Sequence, residues 1–116
     1  MKMIEDFLSM APASAEARLE ELGFSHGKGA LKNIRLLCAT PLKARLGEAI
    51  RFSLACPSPD GALNNIESIV REQTGGSLAR FLEDEKNLPR LVTISGSSPF
   101  LSNILSRNPS YFQWLF

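Results

Sequence analysis

The chain has 116 residues, 44% of them apolar, which is enough for one domain with a core of its own. Its 13 Lys plus Arg nearly balance 12 Asp plus Glu, so it lacks the strong overall positive field of a dedicated nucleic-acid binder. The two cysteines, Cys38 and Cys56, have no CxxC spacing and His26 is the only histidine, which argues against a zinc site or a Cys/His catalytic pair.

Two buried thiols in a reducing cytosol are expected. The start, MKMIEDFLSM, turns acidic within a few residues and offers no long apolar run, so neither a signal peptide nor a membrane span is expected and the protein reads as cytoplasmic. In ASAEARLEELGF, Ser14 is expected to cap a first short helix over 15–22, with glutamates suited to the positive helix end and Gly23 closing it. SHGKG reads as a flexible linker. ALKNIRLLCA then places Leu31, Ile34 and Cys38 on one helical face with Leu37 beside them.

Thr40 and Pro41 mark the start of a third helix carrying Leu42, Leu46, Ala49, Ile50 and Leu54, weakened by Gly47. A fourth follows from Asp60 as N-cap, with Leu63, Ile66 and Val70 inward and Gly75 or Gly76 at its stop. Ser77 is expected to cap a fifth, with Leu78, Phe81 and Leu82 inward. NLPRLVTIS contains β-branched residues, yet no partner strand exists for it, so a helix capped by Asn87 is predicted. Ser98 with Pro99 and Asn108 with Pro109 start two more. Phe100, Leu101, Ile104 and Leu105 should share one face, and Phe112, Leu115 and Phe116 another. The predicted fold class is all-α, a compact array of about six to eight short helices in one domain over 1–116.

No fragment carries recognisable catalytic chemistry. HGKGALK lacks the full phosphate-loop spacing and no strand precedes it; TGGS is what a helix stop followed by a helix start requires. ISGSSP is not a nucleophile elbow, because it has one glycine and its serines precede a helix. Glu83, Asp84 and Glu85 are consecutive, so they point in different directions on a helix and cannot converge on one cation. Charge is uneven: residues 27 to 56 hold Lys28, Lys32, Arg35, Lys43, Arg45 and Arg51 against Glu48 alone, while residues 57 to 88 are acidic. Solvated helix faces account for that pattern, and a nucleic-acid partner is not expected.

Two stretches are more specific than helix physics requires. SPDGALNNIESIV supplies Pro59, Asp60, Ala62, Leu63, Asn64 and Asn65, and LVTISGSSPFLSNILSRNPSYFQWLF supplies Gly96, Ser98, Leu101, Arg107 and Pro109. Together, over 57 to 116, they resemble the N-terminal region of the bifunctional glutamine synthetase adenylyltransferase and adenylyl-removing enzyme. Where that family often has histidine or glutamine, this chain has Asn108.

The resemblance implies a large cytoplasmic enzyme that moves AMP between ATP and glutamine synthetase, using magnesium, under control of the PII protein in nitrogen regulation. Its glycine-rich turn and paired aspartates come after the segment seen here. The chain is therefore expected to be a non-catalytic N-terminal fragment, with no catalytic, cofactor-binding or metal-binding residue of its own. Its partners would be the remainder of the parent enzyme, and through it glutamine synthetase and PII. Tyr111, Trp114 and Phe116 form the expected docking surface. The alternative is a freestanding helical adaptor or peptide-binding module.

Overall fold

The computed structural model describes residues 2–73 and 76–112. Among them it holds eight α-helices, two 3-10 helices and no strand, so the all-α expectation is met. The order is α1 (Lys2–Ser9), α2 (Pro12–Leu22), α3 (Gly27–Leu37), a 3-10 helix (Pro41–Arg45), α4 (Leu46–Leu54), α5 (Pro59–Arg71), α6 (Ser77–Leu82), α7 (Asn87–Ser97), α8 (Pro99–Arg107) and a second 3-10 helix (Pro109–Tyr111).

The central element is α5, which packs against α3, α4, α7 and α8. Ala62, Leu63, Ile66 and Ile69 on it are fully buried, at the helical spacing the sequence shows. Around them close Ile34 of α3, Ile50 of α4, Leu88 and Leu91 of α7, and Leu105 of α8. No helix among the described residues is long and apolar enough to cross a membrane.

Several helix ends differ from their sequence reading, each for a local reason. Helix α1 was not expected; burial of Phe7 in the core and packing on α4 hold it in place. Helix α2 begins earlier than Ser14, with Ala11 at the N-cap, no side-chain capping bond and Pro12 in the first turn. Its end does follow expectation. Gly23, at φ 133°, lets its own N–H reach the Glu20 carbonyl and that of Phe24 reach the Leu19 carbonyl, which is a Schellman stop. SHGKG is no linker: α3 starts within it, at a buried Gly27.

Thr40 caps as expected, its hydroxyl accepting from the Leu42 N–H at 3.2 Å, but it caps a 3-10 helix. The α-helix proper starts at Leu46, so the expected third helix is in two pieces. Arg45 between them binds Glu48 at 2.9 Å and donates to the Leu82 carbonyl at 3.3 Å, tying this turn to the end of α6. That hydrogen bond holds the Glu48 carboxyl below its ordinary range, so its contribution to stability is present at neutral pH and lost on acidification through that lowered range.

Ser58, not Asp60, is the N-cap of α5, accepting from the Gly61 N–H at 3.3 Å. Helix α5 ends at Arg71, before the glycines expected to stop it; Gly75 lies outside the described residues and Gly76 precedes α6. Ser77 is the first residue of α6 rather than its cap. Lys86 precedes α7, and Asn87 instead donates its side-chain N–H to the Phe81 carbonyl at 2.9 Å, closing the α6–α7 corner. Asn108 caps backwards: its side chain donates to the Ile104 carbonyl at 3.0 Å and makes no bond to the 3-10 helix that follows. Leu105 is buried as expected, but Phe100 is 74% exposed. Phe112 packs its ring on Phe81 with centroids 4.3 Å apart, while Leu115 and Phe116 lie outside the described residues.

Candidate functional site

The two stretches that carry the family resemblance meet in space. Asn65 of α5 donates its side-chain N–H to the Ser95 carbonyl of α7 at 2.8 Å, one residue before Gly96. A Cβ on Gly96 would sit 2.4 Å from Cys56 Sγ, 2.8 Å from Cys56 Cβ and 3.3 Å from Ala62 Cβ. The missing side chain is therefore what lets α7 lie flush against the start of α5. Leu63 is fully buried beside this seam, and Pro59 is the first residue of α5, where its absent N–H leaves no hydrogen bond unmade.

Ser98 then caps α8 by accepting from the Leu101 N–H at 3.1 Å, and Ser102 donates back to the Ser98 carbonyl at 2.8 Å. Pro109 opens the second 3-10 helix. The serines here are capping and packing groups, not nucleophiles. Among the described residues Ser95 Oγ is buried without a hydrogen-bond partner, so Ser95→Ala should leave stability unchanged or raise it by up to about 1 kcal/mol. Asn65→Ala, which strands the buried Ser95 carbonyl, should instead cost about 1–2 kcal/mol. Urea unfolding of the two variants separates them, and a Ser95→Ala protein less stable than Asn65→Ala would contradict the assignment.

Asp60 does something its sequence position did not reveal. Its two carboxylate oxygens accept from the Ser25 N–H at 2.7 Å and the His26 N–H at 2.9 Å, across the molecule in the α2–α3 loop. The next amide, Gly27 N–H, donates to Glu20 Oε2 at 3.0 Å. The loop whose composition suggested a phosphate cradle is thus filled by the chain's own carboxylates. Sequence reading placed Asp60 at a cap because the type and position fitted; only the tertiary fold shows the clasp. Asp60→Ala removes two charge-assisted bonds to exposed loop amides and should cost about 1–2 kcal/mol by urea unfolding, whereas unchanged stability would mean the clasp is not formed in solution.

Burial pushes both the Cys38 and Cys56 thiols up from their ordinary range, which makes each a poor thiolate. Both are half-buried and free, rather than fully buried as expected. Cys56 is engaged in packing, with Sγ 3.5 Å from the Phe52 carbonyl. Glu83, Asp84 and Glu85 are all exposed, and no group of three or more His, Cys, Asp or Glu among the described residues could hold a metal ion together.

Of the expected docking aromatics, Tyr111 is 48% exposed, while Trp114 and Phe116 lie outside the described residues. Phe100, expected from the sequence to share one helical face with Leu101, Ile104 and Leu105, joins Tyr111 as exposed aromatic surface. Comparison with family models, curated proteins and solved structures finds no match for the chain.

Proposed function

We propose that the chain is a non-catalytic helical lead-in segment of the bifunctional enzyme that adenylylates and deadenylylates glutamine synthetase, acting in nitrogen regulation. The observation that carries this reading is the seam: the motif residues from 59 to 65 and from 96 to 101 lie far apart in sequence, and Asn65 and Gly96 bring them into one packed unit. Motif residues engaged in packing need no chemistry of their own, which fits a segment that supports a catalytic domain.

On this reading AMP transfer, with its ATP and magnesium, belongs to nucleotidyltransferase domains beyond Phe116. Phe100 and Tyr111 supply the surface on which the rest of the enzyme docks, and contact with glutamine synthetase or PII is made through that assembly.

The test supplies the chain and the remainder of the enzyme as separate proteins with adenylylated glutamine synthetase, phosphate and magnesium. The chain alone should release no adenylyl group, and it should bind the remainder in trans. Phe100→Ser with Tyr111→Ser should weaken that binding at least ten-fold without altering the helical content of the chain. Adenylyl release by the chain alone, or no binding in trans, would overturn the proposal. A freestanding adaptor is the reading that would then take its place.

A further inference from the structure

Helices α2 and α3 leave an open, mostly apolar groove lined by Glu16 on one wall and by Lys28, Leu31, Lys32, Arg35 and Leu36 from α3. Leu36 is 45% exposed at its edge. Lys28, Lys32 and Arg35 follow one another at i, i+4 and i+7, so they form a single row of about two turns, roughly 10 Å long. None of the three forms an ion pair among the described residues, where the bridges are Arg18 with Glu21, Arg45 with Glu48 and Arg71 with Glu67. Gly29 keeps the groove open between them, with nothing within 4 Å of the position its Cβ would take.

We propose that this groove docks an amphipathic helix of a partner protein whose apolar stripe is flanked on one side by carboxylates. Leucines of such a helix would cover Leu36 and the aliphatic stems of Lys32 and Arg35, since Leu31 below them is already buried, and acidic residues at i, i+4 and i+7 would meet the row of three cations. Glu16 on the facing wall repels acid there, so the two walls have opposite sign and fix which flank of the partner lies against α3. The same asymmetry disfavours nucleic acid, whose phosphates would meet an apolar floor and a carboxylate wall. With a net charge of only +1, the attraction is local to this face. The groove belongs to α2 and α3 and the exposed aromatics to α8 and the turn after it, so this proposal and the proposed function can fail independently.

The probe is a fluorescein-labelled synthetic helix with leucines along one stripe and glutamates on one flank, compared with a twin that has lysines in place of the glutamates. Titrated with the full chain and read by anisotropy, the acidic helix should bind at least ten-fold tighter than its twin and weaken as salt is raised. Lys32→Glu with Arg35→Glu should lose at least ten-fold. Gly29→Gln, which fills open space and favours the helix, should also weaken binding while the chain melts no lower than the unaltered protein. Equal binding of the two probes, no binding of either, or an unaffected Lys32→Glu/Arg35→Glu variant would overturn the proposal. So would displacement of the acidic helix by a short RNA or by anionic vesicles at comparable concentration, which would identify a general anion-binding face instead.

Discussion

Gly27→Ala should destabilise the protein by about 3 kcal/mol or more, a fall of roughly 10 °C in Tm, although alanine is the better helix former. The new Cβ would lie 2.2 Å from the Glu16 carbonyl oxygen and 2.8 Å from its carbonyl carbon. These are backbone atoms of α2, so no rotamer change relieves the clash. The helices must separate, and with them go the Glu20 bond to the Gly27 N–H and the contact between the buried Leu19 and Leu31 faces. Gly29→Ala is the internal control, because its Cβ meets nothing within 4 Å. That change should stabilise by about 0.5–1 kcal/mol through helix propensity alone. Two glycines two residues apart therefore respond with opposite sign in urea unfolding. A Gly27→Ala protein as stable as Gly29→Ala would show that α2 and α3 do not approach as described.

Gly96→Ala should cost about 2 kcal/mol, because its Cβ would be driven into Cys56 Sγ and Cβ and crowd Ala62. Cys56→Ala in the same chain removes the sulfur at 2.4 Å but leaves the Cβ at 2.8 Å, so rescue should be partial. A double-mutant cycle should give a coupling of about 1 kcal/mol, favouring the double variant over the sum of the two single ones. Strict additivity would place Cys56 and Gly96 apart and dissolve the seam that joins the two motif stretches.

Which parts of this were legible in the sequence follows from the range of the forces involved. Leu31, Ile34 and Leu37, or Leu63, Ile66 and Val70, announce their helices because a buried stripe repeats at the helical period whatever it packs on. Ser98 and Thr40 were legible as caps because a cap bonds within three residues of itself. The Val92–Thr93–Ile94 run reads correctly as helix once the lack of any partner strand is weighed; in α7 Val92 is buried and Thr93 Oγ1 donates to the Pro89 carbonyl.

What was not legible depends on contacts distant in sequence. Asp60 looks like a cap until the fold brings Ser25 and His26 within 3 Å of it. Gly27 reads as part of a flexible linker and Gly96 only as a motif residue, yet both are close-approach positions, set by Glu16 and by Cys56 with Ala62. Helix α1 is only eight residues long, and its support comes from Phe7 in the core. Phe100 has the helical spacing of Ile104 and the buried Leu105 but sits in the first turn of α8 and is left in solvent. The exposed aromatics and the row at Lys28, Lys32 and Arg35 are surfaces that the core does not explain.

The most direct measurement of the central claim is the nucleotide sequence of the reading frame beyond Phe116. A segment of the adenylyl-removing enzyme predicts an open frame that runs on into a glycine-rich turn followed by paired aspartates. A stop codon directly after Phe116, or an open frame without that turn and its aspartates, would contradict the account.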